Sequence, residues 1–225
     1  MPDQNVTYWD RSIKGAIPSD KLGRTVHYRA LIARGVFYLL DHDARVQSYA
    51  EQPCTIHYAL EDSELSYAPD FLVIWYERKS SLLACKTETY LRDPKHAPQW
   101  TAAQLWCEHH GCDFMLISDT ALRKCGTLFS NLELLALYAH QILPPLAREY
   151  LLKTFASMTS TYSVAEVVEQ TPLLNSNLTK SYLWNLLYNG ECSTDLMKPL
   201  YFNKSRLLWK GATREHASSR ESHVQ

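Results

Sequence analysis

Phe71-Leu72-Val73-Ile74-Trp75-Tyr76 leaves this chain few ways to fold. A near-continuous apolar run, rich in β-branched and aromatic residues, reads as a strand buried within a sheet. Glu77-Arg78-Lys79-Ser80-Ser81 makes a polar turn, and Leu82-Leu83-Ala84-Cys85-Lys86 reads as a second strand paired with the first. Asp70 opens the first strand just after Pro69, and Lys86 closes the second. Neighbouring strands of this kind bring a carboxylate and an ammonium to one edge of a sheet. Taken singly, Asp70 has a plain reading as a turn-side acid and Lys86 as a strand-end surface lysine.

Length and composition set the outer bounds. The 225 residues suit one large or two small domains, and 46% hydrophobic with 21% charged residues describes a globular chain able to bury a sizeable core. The formal net charge of -1 gives no general pull towards nucleic acid. The first fifteen residues, MPDQNVTYWDRSIKG, lack the apolar core of a secretory signal, and no window reaches about 18 consecutive apolar residues. Neither a signal nor a membrane span is therefore expected. The six cysteines (Cys54, Cys85, Cys107, Cys112, Cys125, Cys192) read as reduced thiols of a cytoplasmic protein.

Taken in order, residues 1–24 are polar and read as an extended arm. Thr25 to Leu40 has apolar positions at helical spacing, with Tyr28, Leu31, Ile32, Gly35 and Leu39 on one face. Val46 to Tyr49, Thr55 to Leu60 and Leu65 to Tyr67 read as short strands. Leu91 to Pro98 reads as a loop. Gln99 to His110 is a helix stopped by Gly111, and Phe114 to Ile117 a short buried strand. Ser118 or Asp119 caps the next helix. From Leu128 the pattern turns helical: Leu128 to Ile142, Leu146 to Met158, Ser163 to Gln170 with a capping box from Ser163 and Glu166, and Thr179 to Tyr188. Asp195 to Trp209 reads as a hairpin or wing. Short helix, turn, helix, hairpin is a winged-helix pattern.

Four segments, in this order, resemble the TnsA family, the endonuclease subunit of heteromeric cut-and-paste transposases, which has the PD-(D/E)XK nuclease fold. They are His27 to Val46 (HYRALIARGVFYLLDHDARV), Gln52-Pro53 after Tyr49, Tyr67-Ala68-Pro69-Asp70-Phe71, and Leu82 to Lys86. The FMLISD strand and the LFSNLELL helix that follow are similar as well, so the resemblance covers roughly residues 25–208. It implies a restriction-endonuclease-like α/β domain over residues 25–127, a mixed β-sheet flanked by helices. A mostly helical, winged-helix-like domain would span residues 128–210, and a tail at 211–225 is expected to be disordered. The resemblance further implies a DDE-type transposase subunit, an AAA+ regulator and transposon-end double-stranded DNA as partners, Mg²⁺ or Mn²⁺ as cofactor, and cutting of the element's 5′ ends as the reaction.

Asp70, as a metal ligand, and Lys86, as the residue that orients the attacking water, match the family's pattern. Two acidic positions do not: the helix glutamate falls on Ala33, and the acid or glutamine two residues before the lysine falls on Ala84. Magnesium takes about six oxygen ligands, usually with one or two carboxylates among them, so one carboxylate holds it poorly. Loss of a single electrostatic contact costs on the order of 100-fold in rate. The expectation is therefore a subunit impaired in 5′-strand cleavage that mainly supports transpososome assembly. The alternative is an active metal-dependent endonuclease with relocated acids: Glu88, two residues past Lys86 on the same strand face, or Glu61, Glu64 or Glu77. A third reading is a nuclease-fold DNA-binding protein outside transposition. Gln52 is either a site residue, by the resemblance, or a loop residue before proline. Lys204, Arg206 and Lys210 lead a basic C-terminal stretch that either meets phosphates or an acidic partner, or is solvated surface. Cys107-Glu108-His109-His110-Gly111-Cys112 lacks a second ligand pair and reads as a helix end rather than a zinc site, and Trp100 and Trp106 read as packing residues.

Overall fold

The structure, a computed structural model, describes residues 13–158 and 161–210. Residues 1–12 of the arm expected at residues 1–24, and the disorder expected at residues 211–225, lie outside the described residues. The chain divides between Phe129 and Ser130 into two compact units.

In the first unit, β1 (Gly15–Ser19) and β2 (Arg24–Tyr28) precede helix α1 (Leu31–His42) and β3 (Val46–Glu51). A hairpin of β4 (Ile56–Leu60) and β5 (Ser63–Tyr67) leads into β6 (Phe71–Trp75) and β7 (Ser81–Lys86). Then come α2 (Glu88–Arg92), a 3₁₀ turn at Pro94–His96, α3 (Ala97–His110), β8 (Asp113–Ser118) and α4 (Asp119–Lys124). Helix α5 (Gly126–Ala136) carries the boundary between the units. The central sheet has the order β3-β6-β7-β8, antiparallel except where β8 runs parallel to β7. A helix, three antiparallel strands, a helix and a parallel strand make the restriction-endonuclease-like α/β arrangement that the resemblance implies.

Side-chain alternation explains how the sheet is covered on both faces. Phe71, Val73, Leu83 and Cys85 face a core completed by α1 (Ile32, Val36, Phe37) and by Leu122 of α4. Leu82 and Ala84 face the other way, against Trp100, Ala103 and Cys107 of α3 and Ile56 and Tyr67 of the β4–β5 hairpin. Leu82 is fully buried, a gain of about 1.5–3 kcal/mol for a side chain of this size. Gly35 is required on α1 because a Cβ there would collide with the Phe129 ring.

Several local expectations are corrected. Thr25 to Tyr28 is strand, not helix. It pairs with β1 across a turn in which Gly23 adopts φ +61°, so residues 15–24 belong to the domain rather than to an arm. The spacing of Tyr28 from Leu31 mimics a helix, but Tyr28 pairs with Gly15 and its ring fills the place a Cβ would take there. Leu91 to Pro98 is helical rather than loop. Thr87 caps α2, Asp93 caps the 3₁₀ turn, and Pro94 and Pro98 sit in first turns, where proline needs no N–H partner. The Phe114 strand is a sheet edge, half-buried, with Leu116 exposed.

The second unit holds α6 (Pro145–Ser157), β9 (Tyr162–Ser163), α7 (Val164–Glu169), α8 (Ser176–Tyr188), β10 (Cys192–Ser193) and β11 (Arg206–Trp209). Its small sheet has the order β10-β11-β9, all antiparallel, and its core is built on Leu151, Val164, Leu183, Leu186 and Leu207. The capping box is present: Ser163 N–H donates to Glu166 Oε2 at 2.7 Å, and Glu166 N–H to Ser163 Oγ at 3.2 Å. Two boundaries differ from expectation. The helix from Leu128 stops at Ala136, where the N–H groups of Leu137, Tyr138 and Ala139 turn to the carbonyls three residues back at 3.2, 2.9 and 3.2 Å, and the Tyr138 and Ala139 carbonyls accept from the Asn185 side-chain amide at 2.8 and 2.9 Å. Only residues 206–209 of the expected hairpin are strand, and β11 pairs with both β10 and β9. No helix among the described residues is long and apolar enough to cross a membrane.

Candidate active site

Asp70 and Lys86 meet at one edge of the central sheet. Pro69 carries no N–H, so the ladder of β6 starts at Asp70, whose N–H donates to Leu83 O at 2.9 Å. The Asp70 carboxylate then spans to the next strand. Its Oδ2 accepts from Cys85 N–H at 2.7 Å and from Lys86 Nζ at 3.0 Å. The side chains are 16% and 25% exposed, so the pair lies at the rim of the core and open to one side. Gln52 joins through its backbone: its N–H donates to Asp70 O at 2.9 Å, and its φ of +46° turns the chain out of β3 before Pro53. The Gln52 residue itself is exposed.

The two alanines lie on opposite faces of the sheet. Ala84 shares the Lys86 face of β7, has no exposed surface, and packs among Tyr67, Leu82, Trp100 and Ala103. Ala33 is 4% exposed in the core formed by α1, Phe71 and Leu83. Beside Ala84, the Tyr67 hydroxyl and the Trp100 indole N–H are buried with no hydrogen-bond partner. Burial, followed by the charge of Asp70, pushes the Tyr67 phenol well above its ordinary range. Burial likewise raises the Cys85 thiol, leaving it a neutral packing group.

Glu88 is not on the strand face. The strand ends at Lys86, Thr87 caps α2, and the Glu88 carboxylate pairs with Arg92 at 2.9 Å. Glu61 and Glu64 are exposed on the β4–β5 hairpin, and Glu77 follows β6 at the end opposite Asp70. An acid with no expected role beyond capping does stand near the edge. Ser118 pairs in register with Lys86, and the next residue, Asp119, is 4% exposed. Its Oδ1 accepts Glu88 N–H at 2.8 Å and its Oδ2 is held by Arg123, so it fixes the turn that follows Lys86. The signal for it was the end of the FMLIS strand, whose parallel partner could not be read from the sequence.

These residues do not fit a catalytic divalent metal. Asp70 is a single carboxylate with one oxygen already engaged, Ala33 and Ala84 carry no ligand atom, and Asp119 is committed to Arg123. Among the described residues no group of three His, Cys, Asp or Glu side chains is placed to hold a metal ion. Cys107 is buried in the α3 core, and His110 bonds Trp106 O and stacks on the Trp106 ring. In the second unit Arg206 pairs with Glu166, and the Lys204 ammonium lies 5.5 Å from the Tyr201 ring centre. Lys210 ends the described chain, with its N–H bonded to Glu191 O.

An aspartate and a lysine joined at the edge of a four-stranded mixed sheet between helices define a nuclease-type α/β domain. Residues 43–119 match the family model for the TnsA-like endonuclease N terminal domain, and the domain they form belongs to that family. The match contains Asp70, Ala84 and Lys86; Ala33 precedes it. No curated protein matches the chain.

Proposed function

We propose that this chain is a TnsA-like subunit of a heteromeric DNA transposase that acts at transposon ends and supports transpososome assembly, with 5′-strand cleavage impaired. The observation that carries this reading is the pairing of an intact Asp70–Lys86 contact with an uncharged, closely packed Ala84 two residues before the lysine. The scaffold survives while the groups that would position a metal do not. Membership of the first domain in the TnsA-like family supports a transposase as partner. A DDE-type subunit, an AAA+ regulator and transposon-end duplex DNA are the partners this reading assigns. The second unit supports a DNA- or partner-contacting role, because strand, two helices and a returning strand pair follow α6 in the order of a winged helix. With the 5′ strands left joined, transposition runs towards the replicative, cointegrate outcome.

The reading with relocated acids loses its main support once Glu88 begins a helix and pairs with Arg92. Strand cleavage decides between the two. Labelled transposon-end DNA is incubated with this subunit and its partner transposase in Mg²⁺ or Mn²⁺. The expected result is cutting by the partner alone. A 5′ nick that depends on this subunit and disappears in Asp70→Ala would overturn the proposal.

A further inference from the structure

The β4–β5 hairpin carries an apolar face that the fold only half covers. In an antiparallel pair, directly opposed residues point to the same side. Ile56 pairs with Tyr67, Tyr58 with Leu65, and Leu60 with Ser63, so Ile56, Tyr58, Leu60, Leu65 and Tyr67 form one stripe. At its base, Ile56 and Tyr67 are buried against Trp100 of α3. Towards the tip the same stripe runs into solvent, with Leu60 38% and Leu65 37% exposed and Tyr58 half-buried. Among the described residues no strand pairs with the outer edge of β4 or β5.

Charge at the tip is of one sign. Glu61 and Asp62 form the turn beside the exposed leucines, Glu64 pairs with Ala59 on the opposite face, and residues 54–67 contain no lysine or arginine. All three carboxylates are exposed, and none forms an ion pair with another described residue. An apolar stripe rimmed by unneutralised carboxylates is complementary to a surface with the reverse pattern, apolar in the middle and basic at its edges. Duplex DNA offers phosphates and is repelled by such a tip.

We propose that this hairpin is a docking arm for a basic amphipathic helix of a protein partner. Leucine-type side chains of the helix pack on Tyr58, Leu60 and Leu65, and its lysines or arginines meet Glu61 and Asp62 in the turn. The base of the hairpin joins Asp70 through only Ala68 and Pro69. The proposal does not depend on whether the Asp70–Lys86 edge cleaves DNA.

The test uses the full chain and a fluorescent Leu/Lys amphipathic helical peptide of about 18 residues, five turns of helix. Binding is followed by fluorescence anisotropy. A Leu/Glu peptide of the same pattern serves as the competitor. The native protein is expected to bind the Lys peptide in a salt-sensitive manner. Leu60→Ser with Leu65→Ser, and separately Glu61→Lys with Asp62→Lys, should each weaken binding about tenfold or more. The control reversal Glu149→Lys with Glu169→Lys should leave it unchanged. The altered hairpin residues are all exposed, and thermal melts of each variant check that the fold survives. Absence of binding by the native chain overturns the proposal. So does equal binding by the hairpin variants, or an equal loss in the control reversal.

Discussion

Asp70→Ala should destabilise the first unit much more than Lys86→Met, although each removes one half of the same ion pair. The reason lies in what is left behind. Without its carboxylate, the N–H of Cys85, in a residue only 2% exposed, loses its acceptor. An orphaned buried donor costs about 1–3 kcal/mol. The ion pair adds about 1 kcal/mol at most, since both side chains keep some solvent and the freed ammonium can turn to water. The sum is about 1–4 kcal/mol. Lys86→Met leaves the carboxylate with Cys85 N–H and solvent, at a cost of about 0–1 kcal/mol. Asp70→Asn keeps an oxygen for Cys85 and should fall between, near 1 kcal/mol. Urea unfolding near neutral pH, followed through the fluorescence of Trp75, Trp100 and Trp106 in this unit, reads the order directly. If Lys86→Met costs as much as Asp70→Ala, the ion pair rather than the Cys85 hydrogen bond holds the edge, and the reasoning fails.

Tyr67→Phe removes a buried hydroxyl that has no partner, so urea unfolding should find it neutral or stabilising by about 1 kcal/mol; a clear loss would mean the hydroxyl serves a bound group. Gly35→Ala forces a methyl into the Phe129 ring and should cost about 1–3 kcal/mol in the same assay. Acid sensitivity should trace in part to Glu51 and Asp43, whose carboxyls are held below their ordinary range by hydrogen bonds from Arg24 and Arg45. A depressed carboxyl contributes stability above its unfolded pKa and loses it as pH falls through the folded one. Glu51→Gln should therefore narrow the gap between melting temperatures at neutral pH and about pH 3, though modestly, because both pairs are largely solvated. Burial pushes the Cys107 and Cys192 thiols up to about 12 and the Cys85 thiol well above its usual value. Iodoacetamide at mildly alkaline pH, read by peptide mass spectrometry, should spare these three until the chain is unfolded.

What was legible in the sequence, and what was not, follows from where the information sits. The β6–β7 hairpin announced itself because both strands are buried and their apolar runs need no partner to be recognised. The Asp70–Lys86 contact followed, since hairpin pairing alone fixes which residues share an edge. The capping box at Ser163 was equally local. By contrast, Thr25 to Tyr28 looked helical because its strand partner, β1, lies in a stretch with few apolar residues to mark it. The 3₁₀ turn and the start of α3 were hidden by two prolines that begin helical turns instead of ending them.

The site itself shows the deeper limit. That Ala84 lacks a ligand atom was visible in the sequence, but its packing was not. Which face of β7 meets α3, and how closely, depends on a helix that begins more than ten residues downstream. Because Ala84 is fully enclosed by Tyr67, Leu82, Trp100 and Ala103, restoring a glutamate there is not a simple addition of charge. The side chain must displace packed atoms, at about 1–3 kcal/mol for the overpacking alone, and must carry its charge towards Lys86 or remain protonated. The same pocket also holds two unpartnered donors, Tyr67 Oη and Trp100 Nε1, which a carboxylate or amide oxygen could satisfy. Ala84→Gln separates these effects, since it adds an acceptor without a charge. If the donors can reach it, Ala84→Gln unfolds at a higher urea concentration than the isosteric but apolar Ala84→Met. If Gln is no better than Met, the pocket has closed around alanine, and reversion at this position cannot rebuild a metal site.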